Sequence, residues 1–192
     1  MNKTKSLLII LSGPSGVGKG TIRQEIINDK SLNLFYSVSM TTRNKRPGET
    51  EGVDYYYVTK EEFQKNIDNG NLLEWAEFVG NRYGTPKDKI DDQLKQGKNV
   101  LLEIETKGAK QVLEKCAGPN LVSIFIVPPS LEELESRIRG RGTESDEVIK
   151  ERVNKARQEM KLESLYDYCV VNDDLKRASN EIISIIHSKM EE

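Results

Sequence analysis

Five consecutive apolar residues, Leu7 to Leu11, run straight into a glycine-rich turn, Gly13-Pro14-Ser15-Gly16-Val17-Gly18-Lys19-Gly20-Thr21. Beyond it, Ile22, Ile26 and Ile27 recur on one helical face. Strand, glycine-rich turn and helix in that order restrict the chain to folds in which a sheet strand feeds a helix. The glycines let backbone N–H groups converge on an anion without interference from Cβ atoms. The helix start adds unpaired N–H donors and the positive end of its dipole. Lys19 adds a mobile charge. The segment therefore reads as a phosphate-binding P-loop. It departs from the generic pattern at Gly20, which stands where Ser or Thr usually follows the lysine; the hydroxyl, Thr21, comes one residue later. Whether Thr21 would touch a metal directly stays open.

The chain has 192 residues, enough for one sizeable core with small insertions. A net charge of −2 excludes a globally basic nucleic-acid-binding surface, so anion recognition falls to local clusters. Cys116 and Cys169 are far apart with no CxxC spacing, which argues against a disulfide or a thiolate metal site. Lys3 and Lys5 precede the first apolar run as in a signal peptide, but that run is short and ends in the P-loop, not at a cleavage site. No segment is long enough to span a membrane. A reducing cytoplasm is the expected location.

Apolar, β-rich runs recur at Leu7–Leu11, Tyr36–Met40, Val100–Ile104, Leu121–Val127 and Tyr168–Val171. Helical patterns separate most of them: Lys19–Asn28, Pro86–Gln96, Lys107–Lys115, Leu131–Arg139, Asp146–Leu165 and Leu175–Met190. That alternation predicts an α/β core with a parallel sheet. Two regions break it. Residues from Thr41 to Thr85 contain Tyr55-Tyr56-Tyr57-Val58, a short helix at Lys60–Asn69 and Leu72–Val79, and read as a small β-rich insertion. Residues from Ser130 to Arg157 are charged and have little apolar surface to anchor them, so they read as a mobile helical flap. There is no internal repeat and no low-complexity tract.

Several residues carry chemistry. Arg43 and Arg46 lie three apart among hydroxyl residues and a Pro-Gly turn, a spacing suited either to bidentate phosphate contacts or to a solvated basic loop. Glu74 sits in Leu72–Val79, facing a cleft or solvent depending on whether Leu73, Trp75 and Phe78 pack inward. Tyr55 and Tyr83 can place phenolic hydroxyls on an anion or simply cover a sheet edge. Glu103 and Glu105 are two apart at the end of a buried strand and are expected on one strand face, at the carboxyl edge where open α/β sheets bind ligands. A carboxylate there can hold the hydration shell of Mg2+, or act as a helix N-terminal acid. Arg137, Arg139, Arg141 and Arg152 gather near Gly140 and Gly142, either in a salt-bridge lattice with Glu132, Glu133, Glu135 and Glu151 or as a clamp on a transferring phosphate. On the clamp reading, the arginines of both flanking regions are expected to find their partners only when substrates arrive. The only histidine, His187, lies among isoleucines on the last helix and is expected to be structural.

In the segments GPSGVGKGT, SMTTRNKRPGE, GVDYYYV, LLEWAEFVGNRYGTP, LLEIETKGA, RIRGRGTES and YDYCVVNDDL, in order and spacing, the chain resembles the guanylate kinase family along nearly its whole length. The resemblance implies a core with a five-stranded parallel sheet over residues 1–40, 86–129 and 158–192, a GMP-binding region over 41–85 and a lid over 130–157. It implies Mg2+-dependent transfer of the ATP γ-phosphate to GMP, with dGMP an open second acceptor. It places ATP on Gly13 to Thr21 and on Asn172, and the GMP phosphate on Arg43, Arg46, Tyr55 and Tyr83. It assigns guanine to Ser39, Glu74, Thr85 and Glu105, metal proximity to Glu103, and catalytic charge to Lys19, Arg43, Arg137 and Arg152. Glu105 stands where the family often has Asp, and Lys107 where Gln is common. The family also contains catalytically silent modules that bind protein partners; those typically lose P-loop and arginine residues, which this chain keeps.

Overall fold

A computed structural model describes residues 6–78, 80–140 and 145–192. Val79, at the end of one expected strand, and Arg141 and Gly142 of the expected flap lie outside the described residues. In chain order the elements are β1 (Leu8–Ser12), α1 (Lys19–Ile27), β2 (Leu34–Tyr36), β3 (Met40–Thr41), β4 (Tyr56–Tyr57), α2 (Lys60–Asp68), β5 (Leu72–Phe78) and β6 (Asn81–Pro86). There follow α3 (Lys87–Lys95), β7 (Asn99–Glu103), α4 (Thr106–Lys115), β8 (Leu121–Val127), α5 (Leu131–Arg139), α6 (Asp146–Met160), β9 (Tyr168–Val171) and α7 (Leu175–Glu191).

The core is a five-stranded sheet in the order β2-β7-β1-β8-β9, parallel throughout. Parallel strands need helical crossovers, and these cover both faces. That is why β1 reads Leu-Ile-Ile-Leu-Ser with every residue buried. Ile9 and Leu11 pack with Ile22 and Ile26 of α1 and Ile182 and Ile186 of α7. Leu8 and Ile10 face the other way, toward Ile90 of α3 and Ala109 and Val112 of α4. Burying each such aliphatic side chain contributes roughly 1.5–3 kcal/mol. Central β1 thus delivers the glycine turn to the carboxyl edge of the sheet, beside the end of β7. Ser12 Oγ donates to Ile104 O at 2.9 Å and ties those two strand ends together.

A second, four-stranded sheet has the order β4-β3-β6-β5. It changes the sequence expectation in two ways. The run Tyr36–Met40 is not one strand: β2 ends in the core sheet at Tyr36, and Met40 already belongs to the second sheet. Ser37 still donates its N–H to Leu101 O in the core, whereas Ser39 O accepts from Tyr56 N in the second sheet. A short apolar run cannot show which sheet each half joins. The other change is β6, which pairs antiparallel with β5 after a reversal through Gly80 at φ 72°; its Asn-Arg-Tyr-Gly-Thr-Pro sequence has no apolar alternation to announce a strand.

Helix α2 starts with a full capping box between Thr59 and Glu62. Ser130 caps α5 and Asp174 caps α7. The expected helix Asp146–Leu165 stops at Met160, and Glu163–Leu165 is a separate 3-10 turn. The expected flap is also better anchored than its composition suggests: Leu134, Ile138, Ile149, Val153 and Ala156 form a small buried cluster between α5 and α6. Spaced three or four apart within charged helices, these residues make one narrow apolar stripe each.

Candidate active site

The glycine-rich loop is shaped by its backbone. Gly13 has φ 146°, and a Cβ there would sit 2.3 Å from Ile126 O. Gly18, at φ 99°, begins α1, and a Cβ there would sit 2.6 Å from Asn172 Nδ2. Only glycine meets both the dihedral and the space requirement. No acidic side chain occupies the first turn of α1, so its N-terminal field stays positive. Lys19 Nζ folds back to Gly13 O at 2.6 Å and Pro14 O at 3.1 Å. The loop and the adjoining start of α1 wall a pocket of about 310 Å³ that includes Thr21.

Next to it lies a cleft of about 270 Å³ between the two sheets and α6. Ser15, Lys19, Arg23, Glu103 and Glu105 line both spaces, so the two pockets share a wall. Ser39, Arg43, Arg46, Tyr55, Glu74 and Tyr83 line the cleft, together with Arg152 from α6. The structure therefore gathers residues more than a hundred positions apart.

At one end of the cleft, Glu74 is 4% exposed. It is buried next to Leu73 because the β5–β6 register shifts between Leu72 and Glu74. The bulge interrupts strand alternation and turns the carboxylate inward. Thr85 Oγ1 donates to Glu74 Oε1 at 2.5 Å from behind. The other oxygen lies against α4, where a Cβ on Gly108 would be 2.1 Å from Oε2. Desolvation pushes the Glu74 carboxyl up to about 7, opposed by the Thr85 hydrogen bond and by the charge of Lys115, and reinforced by Glu105. Helix α4 also holds the free edge of β5: Gln111 Nε2 donates to Trp75 O at 2.6 Å, and Lys115 Nζ donates to Leu73 O at 3.1 Å.

At the other end stand Arg43, Tyr55 and Tyr83. The Arg43 guanidinium lies 5.3 Å from the Tyr55 ring centre, and the two tyrosine rings meet edge to face at 5.8 Å. Arg43 is not unpartnered, contrary to expectation. Its fork grips Glu49 at 2.7 and 3.0 Å. Glu49 also accepts from Arg46 N at 2.8 Å and from the Tyr57 hydroxyl at 2.7 Å. These bonds, led by Arg43, hold the Glu49 carboxyl down to about 2. Pairing with Glu49 raises Arg43 above its ordinary range. Glu49 had no signal in the sequence beyond its place in an Arg-rich loop.

Glu103 and Glu105 do not share a strand face. Strand β7 ends at Glu103, and Glu105 is already the residue preceding α4. Both still reach the shared wall, and each keeps a buried Oε2 without a hydrogen bond. Burial raises the Glu103 carboxyl above its ordinary range, opposed by Arg23 and Lys19.

The expected arginine cluster divides. Arg139 joins the surface lattice, with Glu135 at 2.7 Å and with Asp146. Arg137 pairs with Glu133 at 3.1 Å and donates to Asn172 O at 3.0 Å. Arg152 crosses from α6 to the loop and donates to Ser15 Oγ at 2.8 Å. Asn172 is buried under the loop, its Nδ2 donating to Val17 O at 2.7 Å. Arg137 and Asn172 thus brace the loop from behind, and Thr85 braces Glu74. His187 contacts Ser31 at 3.0 Å, remote from these pockets. Sequence reasoning missed Arg23, Tyr36, Lys155 and Glu159, all on the cleft wall. Charged helical residues at ordinary spacing carry no signal that distinguishes them from surface charges, and Tyr36 ends a strand in which an aromatic reads as packing.

A family model described as guanylate kinase matches residues 5–189. A guanylate kinase of Mesoplasma florum is 53% identical over 184 residues, covering 96% of this chain and 61% of that relative. The chain thus spans about three fifths of the length of that curated relative. The crystal structure of a guanylate kinase from Anaplasma phagocytophilum superposes with a TM-score of 0.83 at 35% identity, covering 100% of this chain and 90% of that one.

Proposed function

We propose, from the premise that this chain belongs to the guanylate kinase family, that it transfers the γ-phosphate of ATP to GMP, and to dGMP, in the cytoplasm. The observation that carries the reading is the shared wall. A backbone-built anion site and a cleft containing both a buried carboxylate and an Arg–Tyr cluster meet at Lys19, Arg23 and Glu103. Guanine has adjacent N1–H and N2–H donors, which satisfy Glu74, and an O6 acceptor for Ser39 on the cleft wall, while Thr85, committed to Glu74, serves the base through that carboxylate. Adenine lacks the paired donors and would leave the buried carboxylate uncompensated. The acceptor phosphate has a second pKa of about 6, so it is ionised at neutral pH and needs no general base. Catalysis then comes from alignment and from cancelling the charge between two nucleotides.

The P-loop N–H groups and Lys19 hold the ATP phosphates. Arg43, Arg46, Tyr55 and Tyr83 hold the GMP phosphate, and Glu105 joins the base contacts. Among the described residues no His, Cys, Asp and Glu cluster forms a metal site by itself. Glu103 lines the loop pocket with Oε2 paired to Arg23 at 3.2 Å and Oε1 toward Gly20, where a Cβ would lie 3.8 Å away, and the loop-facing Oε1 fits a Mg2+ that arrives with the nucleotide. Glu103 would hold it, directly or through water, with Thr21 beside it. Bound Mg2+ supplies charge neutralisation on the phosphates.

Residues 41–85 and 130–157 act as GMP-binding region and lid, closing on the core as rigid bodies when nucleotides add negative charge between the arginines. Arg137 and Arg152 travel with the lid, and Asn172 lies near the adenine. A coupled assay with ATP and a panel of monophosphates tests the activity. GDP formation with GMP strongly preferred over AMP is the expected result, and equal rates with AMP and GMP would overturn the base assignment. Solution scattering with a linked ATP–GMP analogue tests closure, which requires a smaller radius of gyration on saturation.

A further inference from the structure

One helical turn beyond Lys19, α1 presents Arg23. Among the described residues, Lys19 and Arg23 are the two cations that line both the loop pocket and the cleft. Arg23 Nη1 donates to the Tyr36 hydroxyl at 2.7 Å. The guanidinium carbon lies 4.5 Å from the Tyr36 ring centre. The same Nη1 is 3.2 Å from Glu103 Oε2, yet that oxygen receives no hydrogen bond. This differs from the pair Arg43–Glu49, in which the fork closes on both carboxylate oxygens. The two pairs are similarly exposed, and a purely structural ion pair gains most from bidentate geometry. Arg23 instead spends its bond on a neutral phenol and keeps its charge at the junction of two anion pockets. Burial pushes the Tyr36 hydroxyl up to about 12, so the phenol stays neutral, and the one carboxylate in an ion pair with Arg23 among the described residues is Glu103 at 3.2 Å.

We propose that Arg23 is a further catalytic residue: its guanidinium contacts oxygens of the acceptor phosphate and of the transferring phosphoryl group where the two pockets meet, and Tyr36 orients it. The inference rests on the ATP:GMP reading above. In the step it serves, an ionised acceptor-phosphate oxygen forms the new bond to Pγ. The bond from Pγ to the β,γ-bridging oxygen breaks, and its electron pair leaves with ADP. No proton moves. Arg23 offsets the repulsion between the two phosphate groups as they approach, from a helix that needs no closure to bring it there.

The test uses Arg23→Met, which keeps length and removes charge, with Arg23→Lys and Tyr36→Phe. For Arg23→Met, kcat should fall by about 10²–10³-fold. Calorimetric affinity for a phosphate-linked adenosine–guanosine analogue should fall at least about tenfold, with affinity for ATP alone within about threefold and the half-saturating Mg2+ unchanged. Arg23→Lys should recover part of the rate, because charge returns without the fork. Tyr36→Phe should lower kcat by about three- to tenfold at an unchanged thermal midpoint. If Arg23→Met does not keep the wild-type circular dichroism, Tyr36→Phe decides, and full activity there overturns the inference. A folded Arg23→Met with kcat within about threefold of wild type also overturns it. So does a loss of rate with a raised Mg2+ requirement and intact analogue affinity, because Arg23 would then act through Glu103. A wild-type chain that makes no GDP overturns the ATP:GMP reading and this inference together; an active wild type with an equally active Arg23→Met overturns this inference alone.

Discussion

The two adjoining pockets are built in opposite ways. The loop pocket comes mostly from one continuous segment, Ser15 to Gln24, which includes the start of α1. The cleft beside it comes from side chains on elements scattered between α1 and α6. A backbone site is specified by glycines that permit its shape, and it recognises phosphate in any nucleotide. A side-chain site is specified by what packs behind each group, and it can tell one base from another. On the proposed reading, generic phosphate binding and base specificity are thus separated between two adjoining pockets, with Lys19, Arg23 and Glu103 at the seam.

The comparison is broken most severely by Lys19→Ala. On the proposed reading its charge serves the transfer itself, so kcat should fall by about 10²–10³-fold while the KM for GMP changes little. Near-normal kcat in a variant with native circular dichroism would mean that the backbone suffices without its lysine. Next comes Gly13→Ala, which leaves every functional side chain in place. The added Cβ meets Ile126 O at 2.3 Å, so the protein should lose roughly 1–3 kcal/mol of stability, read from denaturant unfolding. ATP binding should weaken with it. Unchanged ATP affinity would show that the loop's backbone geometry is not what binds phosphate.

On the side-chain half, Glu74→Gln replaces an acceptor by a donor opposite a guanine N–H. By analogy with base-edge contacts worth about 1–3 kcal/mol, the GMP-over-AMP ratio of kcat/KM should drop at least about tenfold. An unchanged ratio would move base recognition to Ser39 and Glu105.

The smallest effect is a pH dependence that only the side-chain half should show. Glu74 titrates near 7 in the empty protein, above its ordinary 4.5. For a carboxyl raised on folding, its contribution to stability is greatest below the unfolded value and is lost as pH rises toward 7. Binding has the opposite sign, because the ionised form accepts from guanine. GMP affinity should therefore rise about three- to tenfold from pH 6 to 8 beyond the change due to the nucleotide's own phosphate. Glu74→Gln should abolish that excess. It should also unfold at a higher temperature than wild type at pH 8 without nucleotide, and lose the advantage below pH 5. Equal pH profiles for the two proteins would mean that Glu74 is ionised throughout.

The same division decides what could be read before folding was known. Strand, glycine turn and helix are contiguous, so local sequence was enough to mark the glycine turn, the parallel α/β core around β1 and the seven helices to within a few residues, apart from the tail of α6. Local physics governs those features: a buried strand must be apolar, and a tight anion turn must contain glycine. The arginine loop, Glu74 and the Glu103–Glu105 pair were visible as candidates but not as partners. Tertiary structure alone decided that Met40 leaves the core sheet, that a bulge turns Glu74 inward onto Gly108, that Glu49 occupies the fork of Arg43, and that Arg23 stands at the junction. Each of these depends on residues that are distant in sequence and adjacent in space. A charged side chain has the same local signature whether it faces water or a buried wall, because what sets its role is the partner and the solvent that the fold brings or removes.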